Sequence, residues 1–138
     1  MSASEKVSPH DQAGTGQSPG ARISTAMVRL HKKYTGRGPV RARTVVGNGI
    51  VVCVLEDTLT HPERTLVDAG NDDQVLAMRR TIQSVLRDEA VAAVEEATGR
   101  DVLSFMSEND INPDVSAEVF VLQPSPGEPD EDGTRSPQ

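Results

Sequence analysis

The stretch VRARTVVGNGIVVCVL, residues 40–55, decides the fold. Two β-branched runs, Val40 to Val46 and Ile50 to Leu55, flank Gly47-Asn48-Gly49, and an Asn-Gly pair readily takes the positive φ angles that a tight hairpin turn needs. The runs therefore read as antiparallel strands. The second is almost wholly apolar, as expected of a central strand covered on both faces, by helices on one side and by a second subunit on the other. Its Cys53 is the single cysteine of the chain. With no disulfide or metal-site companion it reads as a small buried hydrophobe.

Upstream, Ser18 can cap a helix with Pro19 in its first turn, and Ile23, Ala26, Met27, Leu30 and Tyr34 repeat at the spacing of one buried face as far as the stop at Gly36. Downstream, Thr60 and Glu63 form a capping box around Pro62 and open a short helix that ends near Gly70. Asn71 and Gln74 repeat the device. A long helix then runs to Thr98, its stripe made of Val75, Met78, Ile82, Val85, Leu86, Val94 and Ala97, with Gly99 as its stop. At about 40 Å by a rise of 1.5 Å per residue, it is long enough to span the sheet and contribute to a dimer contact. Val102 to Met106 and Val115 to Leu122 read as the last strands, joined by a polar turn from Glu108 to Asp114. In the final strand Val115, Ala117, Val119 and Val121 share one face, and Ser116, Glu118 and Phe120 the other. The expectation is an α+β fold of two layers, an antiparallel four-stranded sheet in the order α-β-β-α-α-β-β with the long helix packed on it.

This domain occupies residues 18–122. Residues 1–17 and the Pro-rich, acidic residues 123–138 lack apolar periodicity and read as disordered tails. Among 138 residues there are no Trp, one Tyr and two Phe, too few aromatics for a base-stacking platform. So thin a core in so small a domain favours a homodimer. No run approaches the length of a membrane span and the first residues lack an apolar leader, which predicts a cytoplasmic protein reaching a membrane only through a partner.

The net charge is −7, unevenly placed. Arg22, Arg29, Lys32, Lys33, Arg37, Arg41 and Arg43 lie in one segment free of Asp and Glu, and the other seven basic residues face all 21 acidic ones. The chain is an acidic body with one basic band. Arg41 and Arg43 project from one strand face, Lys33 and Arg37 precede them, and glycines beside Arg37, among them Gly38, let an anion approach the backbone. The band is a candidate site for a phosphate, a carboxylate or an acidic protein, or else a set of salt-bridge partners for Asp88, Glu89, Glu95 and Glu96 on the long helix. The acidic remainder would repel a polyanion, which argues against nucleic acid. Asp110-x-Asn112-x-Asp114 imitates the start of a calcium loop, but Val115 and Val121 stand where that loop needs glycine and a carboxylate. His61 beside Glu63 and Arg64 has no nucleophile or second acid placed to work with it. No catalytic set, metal site or cofactor motif is legible.

Several separated motifs do form a pattern: Met27-Val28-Arg29-Leu30 through Gly36-Arg37-Gly38-Pro39, Leu55-Glu56 with Leu59-Thr60 and Glu63-Arg64-Thr65-Leu66-Val67, Val94-Glu95-Glu96-Ala97-Thr98-Gly99-Arg100, and Asn109-Asp110-Ile111-Asn112-Pro113-Asp114. In this order they resemble the MpsC-type domain family, named for a component of a sodium-linked, membrane-potential-generating system. The resemblance covers about Ser18 to Leu122. It implies a small soluble accessory domain acting through partners that span the membrane, and it supplies no catalytic residue.

Overall fold

A computed structural model describes residues 17–124. The expected tails, apart from Gln17, Gln123 and Pro124, lie outside the described residues. Seven elements follow in order: α1 (Pro19–Thr35), β1 (Arg41–Gly47), β2 (Ile50–Glu56), α2 (His61–Asp68), α3 (Asp72–Thr98), β3 (Val102–Asp110) and β4 (Val115–Leu122). The strands form one antiparallel sheet in the order β1-β2-β4-β3, so the apolar β2 is central as its composition implied.

Local chemistry sets the boundaries. Asn48 and Gly49 turn the hairpin with φ of 56° and 71°. Ser18 accepts the Ala21 N–H at the start of α1, and Gly36 ends it in the left-handed conformation. The capping box at Thr60 and Glu63 is formed in full. Asn71 departs from expectation: its side chain caps nothing, and α3 begins instead with the Gln74 and Val75 amides on the Asn71 carbonyl.

Helices α1 and α3 cover one face of the sheet, and α2 packs against α3. Between the layers lie Ile23 and Met27 of α1, Leu86, Ala90 and Val94 of α3, Val51, Cys53 and Leu55 of β2, and Phe120 of β4, all without exposure. Each Val, Leu, Ile, Phe or Met among them contributes about 1.5–3 kcal/mol. Burial also pushes the Cys53 thiol up to about 12, which makes it a packing residue in this fold.

Two further expectations are corrected. The buried stripe of α3 runs through Val75, Arg79, Gln83, Leu86, Ala90 and Val94, while Met78 and Val85 are 42% and 58% exposed. Arg79 and Gln83 go inside because polar partners wait there: Glu63 for Arg79, Asn109 for Gln83. Strand β3 runs on to Asp110, four residues beyond its expected end. Asn109 holds that extension, since its side chain pairs with Gln83 and accepts from Ser116.

Candidate functional site

The motif residues of α2, of the loop before it and of the β3–β4 turn converge on one polar network. Arg79 and Glu63, 3% and 2% exposed, face each other in a bidentate pair of 3.0 and 2.7 Å. The remaining guanidinium contacts go to the Thr58 hydroxyl and carbonyl at 2.7 and 2.8 Å, which uses four of five N–H donors. Glu63 also accepts the Thr60 amide. Burial alone would raise its carboxyl, but the Arg79 and Thr60 hydrogen bonds and the Arg79 charge outweigh that and hold it below its usual value. Asp114 accepts from the Thr58 hydroxyl and the Leu59 amide, and Arg64 bridges Asp57 and Asp114. The network is a clamp that ties α2, α3 and the β3–β4 turn together. Asp114 of the apparent calcium loop and Glu63 of the apparent acid–base pair serve it, while Asp110 lies outside it on the open sheet face and His61 stays exposed at the helix start. Among the described residues no group of three or more His, Cys, Asp or Glu is arranged to hold a metal ion.

The basic band divides among three places. Lys33 lies on the helical layer, bound to Glu89 of α3 at 2.9 Å, and Tyr34 donates to the same carboxylate. Those two hydrogen bonds, Tyr34 first, lower Glu89. Arg37 reaches the Asp57 carbonyl at 2.5 Å and its carboxylate at 3.5 Å. Gly38 lies against Val28 of α1. Arg41 and Arg43 stand on the sheet face turned away from the helices, and both engage Glu56, at 3.6 and 2.7 Å. Two guanidiniums thus share one carboxylate. Of the acidic residues on the long helix, Glu89 takes up the salt-bridge role expected of that group. A groove of about 460 Å³ runs between α1 and α3, lined by Ala26, Ala92, Ala93, Arg29, Lys33, Glu89 and Glu96 among others. Its charges are mixed in sign.

The sheet face carrying Arg41 and Arg43 has a more apolar middle than its polar ends suggest. The register sets its side chains in four rows across the strands β1, β2, β4 and β3. These are Gly47–Ile50–Val121–Ser104, Val45–Val52–Val119–Met106, Arg43–Val54–Ala117–Glu108 and Arg41–Glu56–Val115–Asp110. Val45 is 69% exposed, Met106 52% and Ile50 43%, and a bulge between Val102 and Ser104 leaves Leu103 outside at 60%. The face of β4 under the helices holds instead Ser116 and Glu118 with Phe120 and Leu122. Glu118, fully buried, accepts from Ser107 and lies 3.6 Å from buried His31. Three atoms of that pair, both His31 nitrogens and Glu118 Oε2, have no hydrogen-bond partner. The fold therefore buries the more polar side of its last strand and leaves the valine side open. The alternation was visible in the sequence, but which side faced the helices was not.

No helix among the described residues is long and apolar enough to cross a membrane. Comparison with curated proteins and with solved structures finds no match. A family profile described as "Na+-translocating membrane potential-generating system (MpsC)" matches residues 17–124. That span takes in all seven elements, the clamp and the open sheet face, and the chain belongs to the MpsC family.

Proposed function

We propose that this chain is a soluble, non-enzymatic accessory domain of a sodium-linked, membrane-potential-generating system, that it is cytoplasmic, and that it works as a homodimer docked on a membrane-spanning partner. The family match over the whole fold carries this reading, because its name ties the family to ion translocation. No helix among the described residues could itself cross the bilayer, so the contribution runs through protein contacts. The conspicuous polar clusters support it too, since the clamp and the Lys33–Glu89–Tyr34 cluster are spent on holding elements together. Affinity capture of the full chain from detergent-solubilised native membranes tests the role. A polytopic membrane protein should co-purify reproducibly; repeated recovery of the chain without one contradicts it.

A second reading has one observation in its favour. Arg41 and Arg43 share Glu56, which leaves a net positive charge at that corner of the sheet. A phosphate- or carboxylate-bearing ligand could bind there, with Lys33, Arg37 and Gly38 outside the immediate contact. Millimolar phosphate should then raise the melting temperature of the wild type and leave Arg43→Ala unmoved; equal response of the two excludes it.

A further inference from the structure

We propose that the open sheet face is the interface of a face-to-face homodimer, with its two-fold axis parallel to the strands and midway between β2 and β4, so that Arg41 and Arg43 of each copy lie over the partner's Asp110 and Glu108. The proposal supplies a surface and a symmetry for the homodimer of the preceding reading and rests on that part of it alone.

The first ground is the inverted polarity of β4. Ser116 and Glu118 lie under the helices, whereas Val115, Ala117, Val119 and Val121 line the open side beside Val52 and Val54 of β2. A sheet face this apolar is expected against another layer, and two such faces pack about 10 Å apart with strands aligned to within about 30°.

The second ground selects the occupant. On the open face the basic residues are on edge strand β1 and the unpaired acidic ones on the opposite edge strand β3, in the same two rows: Arg43 with Glu108, and Arg41 with Asp110. Neither Glu108 nor Asp110 has a cation within ion-pair distance among the described residues. A two-fold axis along the strands exchanges the edges and keeps the rows. It lays β1 over the partner's β3, brings the surplus positive charge of one copy to the negative edge of the other, and does so twice. The same operation stacks Val52 on the partner's Val119 and Val45 on the partner's Met106. A self-complementary pattern of this kind is what an isologous interface requires. An unrelated partner would have no need of opposite charges on the two edges.

The third ground is size. Four strands at about 4.8 Å spacing and seven residues at about 3.4 Å give a flat footprint of about 450 Å² per copy. Side-chain relief adds to the resulting total of about 900 Å², the size of a weak, reversible association rather than of a permanent one.

Sedimentation equilibrium of the full chain, from nanomolar to high micromolar, tests the proposal. The wild type should be a reversible dimer. Val52→Lys/Val119→Lys, which buries four like charges at the centre of the interface, should raise the dissociation constant at least about tenfold while melting as the wild type does. Should that variant fold poorly, Glu108→Arg on the exposed edge serves in its place. It should weaken the dimer severalfold, and Arg43→Glu/Glu108→Arg should restore it, because the swap exchanges the two signs. A monomer at every concentration, or a dimer indifferent to Val52→Lys/Val119→Lys and to Glu108→Arg, or a swap that fails to restore, overturns the interface. Capture of a membrane partner by a monomeric chain would overturn it and still leave the accessory role standing.

Discussion

At the scale of single residues, Glu63 does two jobs with one carboxylate. It closes the capping box of α2 and neutralises a buried guanidinium from α3. Only the first was legible in sequence, because a capping box is a four-residue pattern, whereas Arg79 lies 16 positions away. In a helical wheel Arg79 reads as solvated, and Met78 and Val85 look like better core. The folded carboxyl is held below its usual value of 4.5, so the pair stabilises the fold fully above that pH and loses its contribution as pH falls through the lower folded value. Glu63→Gln should therefore lose about 3 kcal/mol at neutral pH, where it strands the buried Arg79 charge. Its deficit should narrow as denaturant melts are repeated below about pH 4.5. A deficit that stays constant to acid pH would show that the carboxylate charge contributes nothing.

At the scale of elements, boundaries were readable where backbone chemistry is local. Ser18, Gly36, Asn48-Gly49, Thr60 and Gly99 each act within a few residues of themselves, and each marks a start, turn or stop in the structure. Where a boundary depends on a distant partner the reading failed: β3 outlasts its apolar run because Asn109 is engaged by Gln83 and Ser116. The hairpin gives a clean measurement of the local term. Gly49 has φ of +71°, yet a Cβ there would meet only Arg100 and Leu122 atoms at 3.7 and 3.8 Å, ordinary contacts. Gly49→Ala should cost about 1–2 kcal/mol in urea unfolding through backbone strain alone. Gly47→Ala, two residues away with open space around it and no left-handed φ, should be neutral or slightly stabilising. Equal effects at the two sites would argue against a conformational origin.

At the scale of the whole molecule, the apolar character of β2 foretold a central strand. Several of the family motifs were legible for the same reason the caps were, since those at Gly36, Thr60–Glu63, Gly99 and Asn109–Asp114 sit at turns, caps and the clamp. What the sequence left open was the side of β4 that meets the helices, because an amphipathic alternation has two solutions until α1 and α3 are placed. The structure chooses the solution with Glu118 and Ser116 inside and the valines out. The basic band likewise read as continuous along the chain, yet a helix, a loop and a strand carry its members to separate places, and Glu56, Asp57 and Glu89 meet them there.

The most direct test of that account is the sodium-dependent membrane potential of cells that natively carry the chain, measured with a potential-sensitive dye in wild type, in a deletion, and in the deletion complemented by wild type or by Val52→Lys/Val119→Lys. The account predicts a lowered potential in the deletion, restored by the wild-type chain and not by the face variant expressed at equal level. A potential unchanged by deletion would contradict it.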